Sequence, residues 1–246
     1  MKTATYFGAR RFGVVATVAL TVGFAATFGA ATSSVAAAPG PASPSNVVAS
    51  WDFDQVRGVI SDQQADGDDL TLSGPWSSVA GKGTDPSAVR FTANPAAAST
   101  SVANGARFNP GTGSFALTVV FRATKDVTSG SPNLAQHGSF NDTGQIKVQL
   151  DPGGRAGCRI KGDRAAYLFY HPTASVNDNK WHTITCARSA TDVIVTLDGV
   201  AFSPAGTEDP GAIAVSDQPF RFAQKVGPGS APDQFVGDIG FASYST

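Results

Sequence analysis

Residues 180–199 confine this chain to β structure. Lys180 to Arg188 and Val193 to Leu197 are alternating runs rich in β-branched residues, separated by the short polar stretch Ser189-Ala190-Thr191-Asp192. That pattern predicts a pair of antiparallel strands. The second run ends in Asp198-Gly199, a pair that accepts the positive φ of a tight hairpin turn. No run of ten or more residues after the N-terminal leader shows helical apolar spacing, and 27 Gly and 15 Pro punctuate the chain at short intervals.

The same alternation recurs along the chain. Phe115, Leu117, Val119 and Phe121 alternate with Ala116, Thr118, Val120 and Arg122, so a core strand is expected over 114–122. In Gln145–Leu150 the residues Ile146, Val148 and Leu150 point inward, leaving Gln145, Lys147 and Gln149 outward. Further strands are expected at 47–54, around Leu70 and Leu72, and at 88–91, 220–223 and 235–244. About twelve short strands without an internal repeat predict two packed antiparallel sheets, an all-β jelly-roll sandwich.

The N-terminus reads as an export signal. Lys2, Arg10 and Arg11 precede the uncharged apolar run Val14 to Ala31, and Ser34-Val35-Ala36 offers a small-residue cleavage site. A membrane anchor is the alternative, but the run is at the short limit for spanning and its small-residue exit favours cleavage. The expectation is a secreted, extracellular protein: signal peptide 1–36, disordered Pro/Ala/Ser linker 37–46, one domain 47–246, and no membrane span once the signal is removed. Loss of the three leader cations leaves 15 basic against 19 acidic residues, a formal net charge of −4. No global basic field remains to hold nucleic acid.

Cys158 and Cys186 are the only cysteines. In an oxidising compartment a disulfide is the default, with free thiols or a partial metal site as alternatives. Cys158 shares a face with Ile160 and Cys186 with Ile184, so both sulfurs point to the apolar side. Closing a loop of about 28 residues contributes roughly 3 kcal/mol in the chain-entropy model.

Several landmarks, in order, resemble the laminin-G-like, concanavalin-A-like jelly-roll family of secreted bacterial domains. Trp51-Asp52-Phe53-Asp54 with the polar loop Asp62 to Leu70 resembles its first strand and loop; Trp181-His182, Leu197-Asp198-Gly199 and Phe235 to Gly240 resemble its later strands. The family includes sugar-binding modules and polysaccharide-cleaving enzymes, so the resemblance implies a fold and leaves the function open. Gln55 and Gly240 replace residues that are usually acidic, so a calcium site using those positions is not carried over.

Chemistry is constrained by a shortage of carboxylates in the right places. Glu208 is the only glutamate and lies in the polar turn Gly206 to Pro210, whereas jelly-roll glucanases of this type work with Glu-x-Asp-x-Glu on a strand. Lyases of the same fold use His, Tyr, Arg and Gln around a uronate, which makes His171, Tyr170, His137 and Arg159 the candidates for an enzyme acting on an acidic polysaccharide. Their Gln-Ile-His motif is approached only by Gln145-Ile146-Lys147. His182, sharing a face with Ile184 and Cys186, reads as structural. The outward stripe of Gln145, Lys147, Gln149 and Arg159, with Lys161 beyond it, is locally basic and suits a polysaccharide or glycan, preferentially an acidic one, with Tyr167, Tyr170 or Trp76 for stacking. An ordinary solvated sheet face has the same pattern. No cofactor is required; the acidic loop, through Asp62 and Asp66, offers oxygen ligands for Ca2+. The favoured reading is a non-catalytic carbohydrate-binding or adhesive module, ahead of the lyase and of a pentraxin-like protein-binding module.

Overall fold

The computed structural model describes residues 44, 46–54, 57–64, 67–92, 97–100, 102–123, 130–172, 175–189, 192–215, 218–225 and 233–246. The expected signal peptide and most of the expected linker lie outside the described residues. Two antiparallel sheets of eight strands each make up the domain.

The first sheet runs β14 (Val200–Phe202), β13 (Asp192–Leu197), β12 (Trp181–Ser189), β7 (Phe115–Ala123), β16 (Gly237–Ser245), β5 (Ala88–Phe91) and β4 (Trp76–Val79), with β1 (Val47–Asp52) also paired to β16. The second runs β11 (Ala166–Tyr170), β10 (Ala156–Lys161), β9 (Gln145–Leu150), β8 (Asn133–His137), β15 (Arg221–Phe222), β6 (Ala97–Ser99), β3 (Leu70–Ser73) and β2 (Val59–Ile60). The expected jelly-roll sandwich is therefore the fold. Its diagnostic hairpin is in register, with Ile184 opposite Leu197 and Cys186 opposite Val195. Asp198 and Gly199 take φ of 49° and 82° at the turn into β14, the left-handed geometry their sequence predicts.

Alternation decides what fills the space between the sheets. Phe115, Leu117, Val119 and Phe121 of β7 are buried against Ile146, Val148 and Ile160 of the opposite sheet within one apolar core. Trp51 lies 5.3 Å from Phe222 and 5.9 Å from Phe220, and its indole N–H donates to the Asp68 carbonyl at 2.8 Å. Burying that many rings is the main source of stability, and the Trp51 N–H and Tyr244 O–H, which donates to the Phe108 carbonyl at 2.9 Å, are both paired, since an unpaired one would cost about 1–3 kcal/mol.

Two sequence expectations shift. The last strand starts at Gly237 rather than Phe235, because the Phe235 amide donates to the Ala223 carbonyl and the β7 ladder begins only at Gly237 opposite Ala123. Strands β2, β4, β6, β8, β11 and β14 were not expected, so about twelve expected strands became sixteen among the described residues. All five residues of β8 are buried, so it shows no apolar/polar alternation to read.

The Cys158–Cys186 disulfide is present, joining β10 to β12 across the core with its Cα atoms 5.6 Å apart. The domain purified without reductant should accordingly have an intact mass about 2 Da below that of the dithiol. Alkylation of both cysteines in the native, unreduced protein would contradict it.

Candidate functional site

The second sheet presents an outer face whose composition follows from register. Ile160, Ile146 and His137 lie side by side on β10, β9 and β8 and face the core. One residue along, the opposite face carries Leu168, Arg159, Lys147, Gln136 and Arg221 in a row across five strands. The next row is Tyr170, Gly157 and Gln149. A methyl group at Gly157 would overlap the Tyr170 ring, so the missing side chain lets the phenol lie across the row, where the Gln149 amide donates to its oxygen.

This face is recessed and half open to solvent. A cavity of about 250 Å³ sits on it, with Gln136, Gln145, Lys147, Gln149 and Arg159 beneath and Phe140 and Leu168 on one flank. Ser131, Lys225 and Asp233 close the other side. Gln145 and Gln149 are only 3% and 2% exposed. The outward stripe expected from the sequence is thus the floor of a pocket.

Hydrogen bonds fix the orientation of the floor. Gln136 and Gln145 both donate their side-chain N–H to the Gly138 carbonyl, at 2.6 and 3.2 Å. The Gln136 side-chain carbonyl accepts from Asn133 Nδ2 at 2.8 Å, whereas buried Gln145 Oε1 has no partner among the described residues. Arg159 lies 5.0 Å above the Phe140 ring, and its Nε is likewise buried with no hydrogen bond among the described residues. Lys225 pairs with Asp233 at 2.9 Å. Lys147 makes no ion pair among the described residues; burial, with the neighbouring Lys225 and Arg159 cations, pushes its ammonium down to about 8 against the pull of Asp233. Burial lowers Arg159 too.

The remaining candidates are scattered or already engaged. His137 points into the core, stacked on Phe220 at 5.6 Å, and burial pushes it down to about 4. His171 is buried against Phe202, its Nε2 3.0 Å from the Val200 carbonyl. Tyr170 and Arg159 share the pocket face with Gln149, so of the four residues expected for a lyase two meet and both histidines lie elsewhere. His182 sits between Asp198 and Asp178, at 2.7 and 3.0 Å, a structural bridge at the hairpin. Lys161 is taken up by the Phe140 and Asp142 carbonyls, and the Tyr167 hydroxyl accepts from the Glu208 amide. Trp76 packs against the core from the other sheet. Asp62 Oδ1 accepts from the Ser50 and Gln64 amides, closing the acidic loop on itself, and Asp66 lies outside the described residues. Sequence reading singled out Gln136 only as a lyase-type residue beside His137, and missed Ser131, Phe140, Leu168, Lys225 and Asp233. Only Phe140 carried a signal: a large aromatic residue in the Gly138 to Asp142 turn, 63% exposed.

No family model and no curated protein matches this chain in sequence. Solved structures match it in fold. Domain 4 of AbnA, an extracellular GH43 arabinanase from Geobacillus stearothermophilus in complex with arabinotriose, is 15% identical with a TM-score of 0.58, covering 82% of this chain and 92% of that one. The receptor-binding domain of botulinum neurotoxin mosaic serotype C/D is 10% identical with a TM-score of 0.56, covering 82% and 47%. Trypanosoma rangeli sialidase, in complex with sialic acid, is 16% identical with a TM-score of 0.55, covering 80% and 30%. This chain therefore spans nearly all of the first and less than half of the other two.

Proposed function

We propose that this protein is a secreted, non-catalytic glycan-binding module whose ligand seats in the pocket on the second sheet. The observation that carries the proposal is the floor: three buried glutamines and two cations on neighbouring strands, gathered under one recess. Side-chain amides and cations converging on a concave surface suit a hydroxyl-rich ligand. The fold neighbours include proteins in complex with arabinotriose and with sialic acid, which supports a glycan without fixing its identity. The leader-like N-terminus and the disulfide support export.

The test is a glycan array run with calcium and with EDTA, followed by turnover assays on every bound glycan. Binding should survive EDTA, since Asp62 is engaged with backbone amides. Neither absorbance near 235 nm from unsaturated uronates nor new reducing ends from β-glucans should appear, Glu208 being a lone exposed carboxylate with no partner glutamate in the chain. Elimination activity would favour the lyase. An array negative throughout would favour the protein-binding module.

A further inference from the structure

Building on the glycan reading, we infer that the pocket selects a single sugar residue bearing an exocyclic carboxylate or sulfate, its anion seated on Lys147 and Arg159.

The two cations are cross-strand partners on β9 and β10, so their heads leave the sheet side by side. Like charges directly opposite one another destabilise a sheet. Among the described residues neither forms an ion pair with a carboxylate. The acid that lines the cavity, Asp233, is itself held by Lys225 at 2.9 Å and by the Ser131 amide at 3.3 Å. An anion brought by a ligand would complete the arrangement.

At about 250 Å³ the cavity lies below the range of about 300–1,000 Å³ typical of small-molecule sites, which suits one ring rather than a run of them. Exposed Phe140 and Leu168 supply the apolar flank for its C–H face.

Calorimetry on the full domain tests this with oligogalacturonate, oligoguluronate and heparin-type sulfated oligosaccharides, each uronate also in carboxyl-reduced form, and with a polyglutamate peptide. At least one acidic oligosaccharide should bind, the uronate or the sulfated arm identifying the anion. Its neutral counterpart should bind about tenfold or more weakly. Lys147→Met and Arg159→Met should each weaken the acidic ligand about tenfold while leaving the neutral one within about twofold, and raising salt from about 50 to about 500 mM should weaken the acidic ligand selectively. A neutral glycan bound as tightly as the acidic one would overturn the anion seat and leave the glycan reading standing. No binding in any sugar arm would overturn both, and Lys147-dependent binding of polyglutamate at equal affinity would replace the sugar with an acidic polypeptide.

Discussion

Arg188→Met should lower the stability of this domain by about 3–5 kcal/mol, read as a fall in the denaturation midpoint in guanidinium with an unchanged slope. Arg188 is wholly buried and shares the inward parity of Ile184 and Cys186 on β12. Its Nε donates to the Gly113 carbonyl at 2.9 Å, Nη1 to Gly211 at 2.7 Å and Nη2 to Gly111 at 2.7 Å and again to Gly113. The guanidinium lies 5.8 Å from the Phe115 ring. One planar head thus ties two loops to the end of the core, using the fork of donors that only arginine has. Methionine would replace much of the volume and remove the cost of burying a charge, but it would strand the Gly113 and Gly211 carbonyls, each costing about 1–3 kcal/mol, while Gly111 keeps the Ile213 amide at 2.9 Å. Arg188→Lys should fall between the two, keeping the charge with fewer, differently aimed donors. A methionine variant within about 1 kcal/mol of wild type would show that water satisfies those carbonyls.

Arg188 also marks the limit of what the sequence discloses. Alternation places it inside, yet its partners lie 75, 77 and 23 residues away, and nothing local announces them. Gln145, Lys147, Gln149 and Arg159 were readable as one face because β9 and β10 are sequential neighbours, with inward parity fixed by Ile146, Val148 and Ile160. The walls of the pocket were not readable, since Ser131, Lys225 and Asp233 arrive from other parts of the chain. The histidines show a different failure. Gln136-His137 and Tyr170-His171 look like paired functional groups in one dimension, but consecutive strand residues face opposite sides, so Gln136 reaches the pocket while His137 enters the core. At Tyr170 the strand ends, and His171 turns away to the Val200 carbonyl.

Lys147 should respond to mutation with the opposite sign from Arg188, although both are cations removed from water. Its folded-state ammonium is held at about 8 against an ordinary value of 10.5, an interval worth about 3 kcal/mol at 1.36 kcal/mol per decade. Burial is the first cause and the neighbouring cations add to it. Below pH 8 the lysine is charged in both the folded and unfolded chains, so the full cost falls on the folded state. Between about 8 and 10.5 the folded protein releases the proton while the unfolded chain keeps it, and wild-type stability rises with pH across that window as the cost fades. Lys147→Met, which preserves the packed stem, should therefore be more stable than wild type by about 3 kcal/mol at pH 7, with the advantage shrinking as pH rises through 8 to 10.5. The same ammonium is the proposed anion seat, so the stabilised variant should also be the one that loses acidic glycan, and wild-type affinity should fall above pH 8 as the head discharges. Such a trade of stability for a site is common where a fold keeps a group for its ligand rather than for itself. Denaturation curves of both proteins from pH 6 to about pH 10 decide the matter: a methionine variant less stable than wild type at pH 7 would mean that the Lys147 head serves the fold.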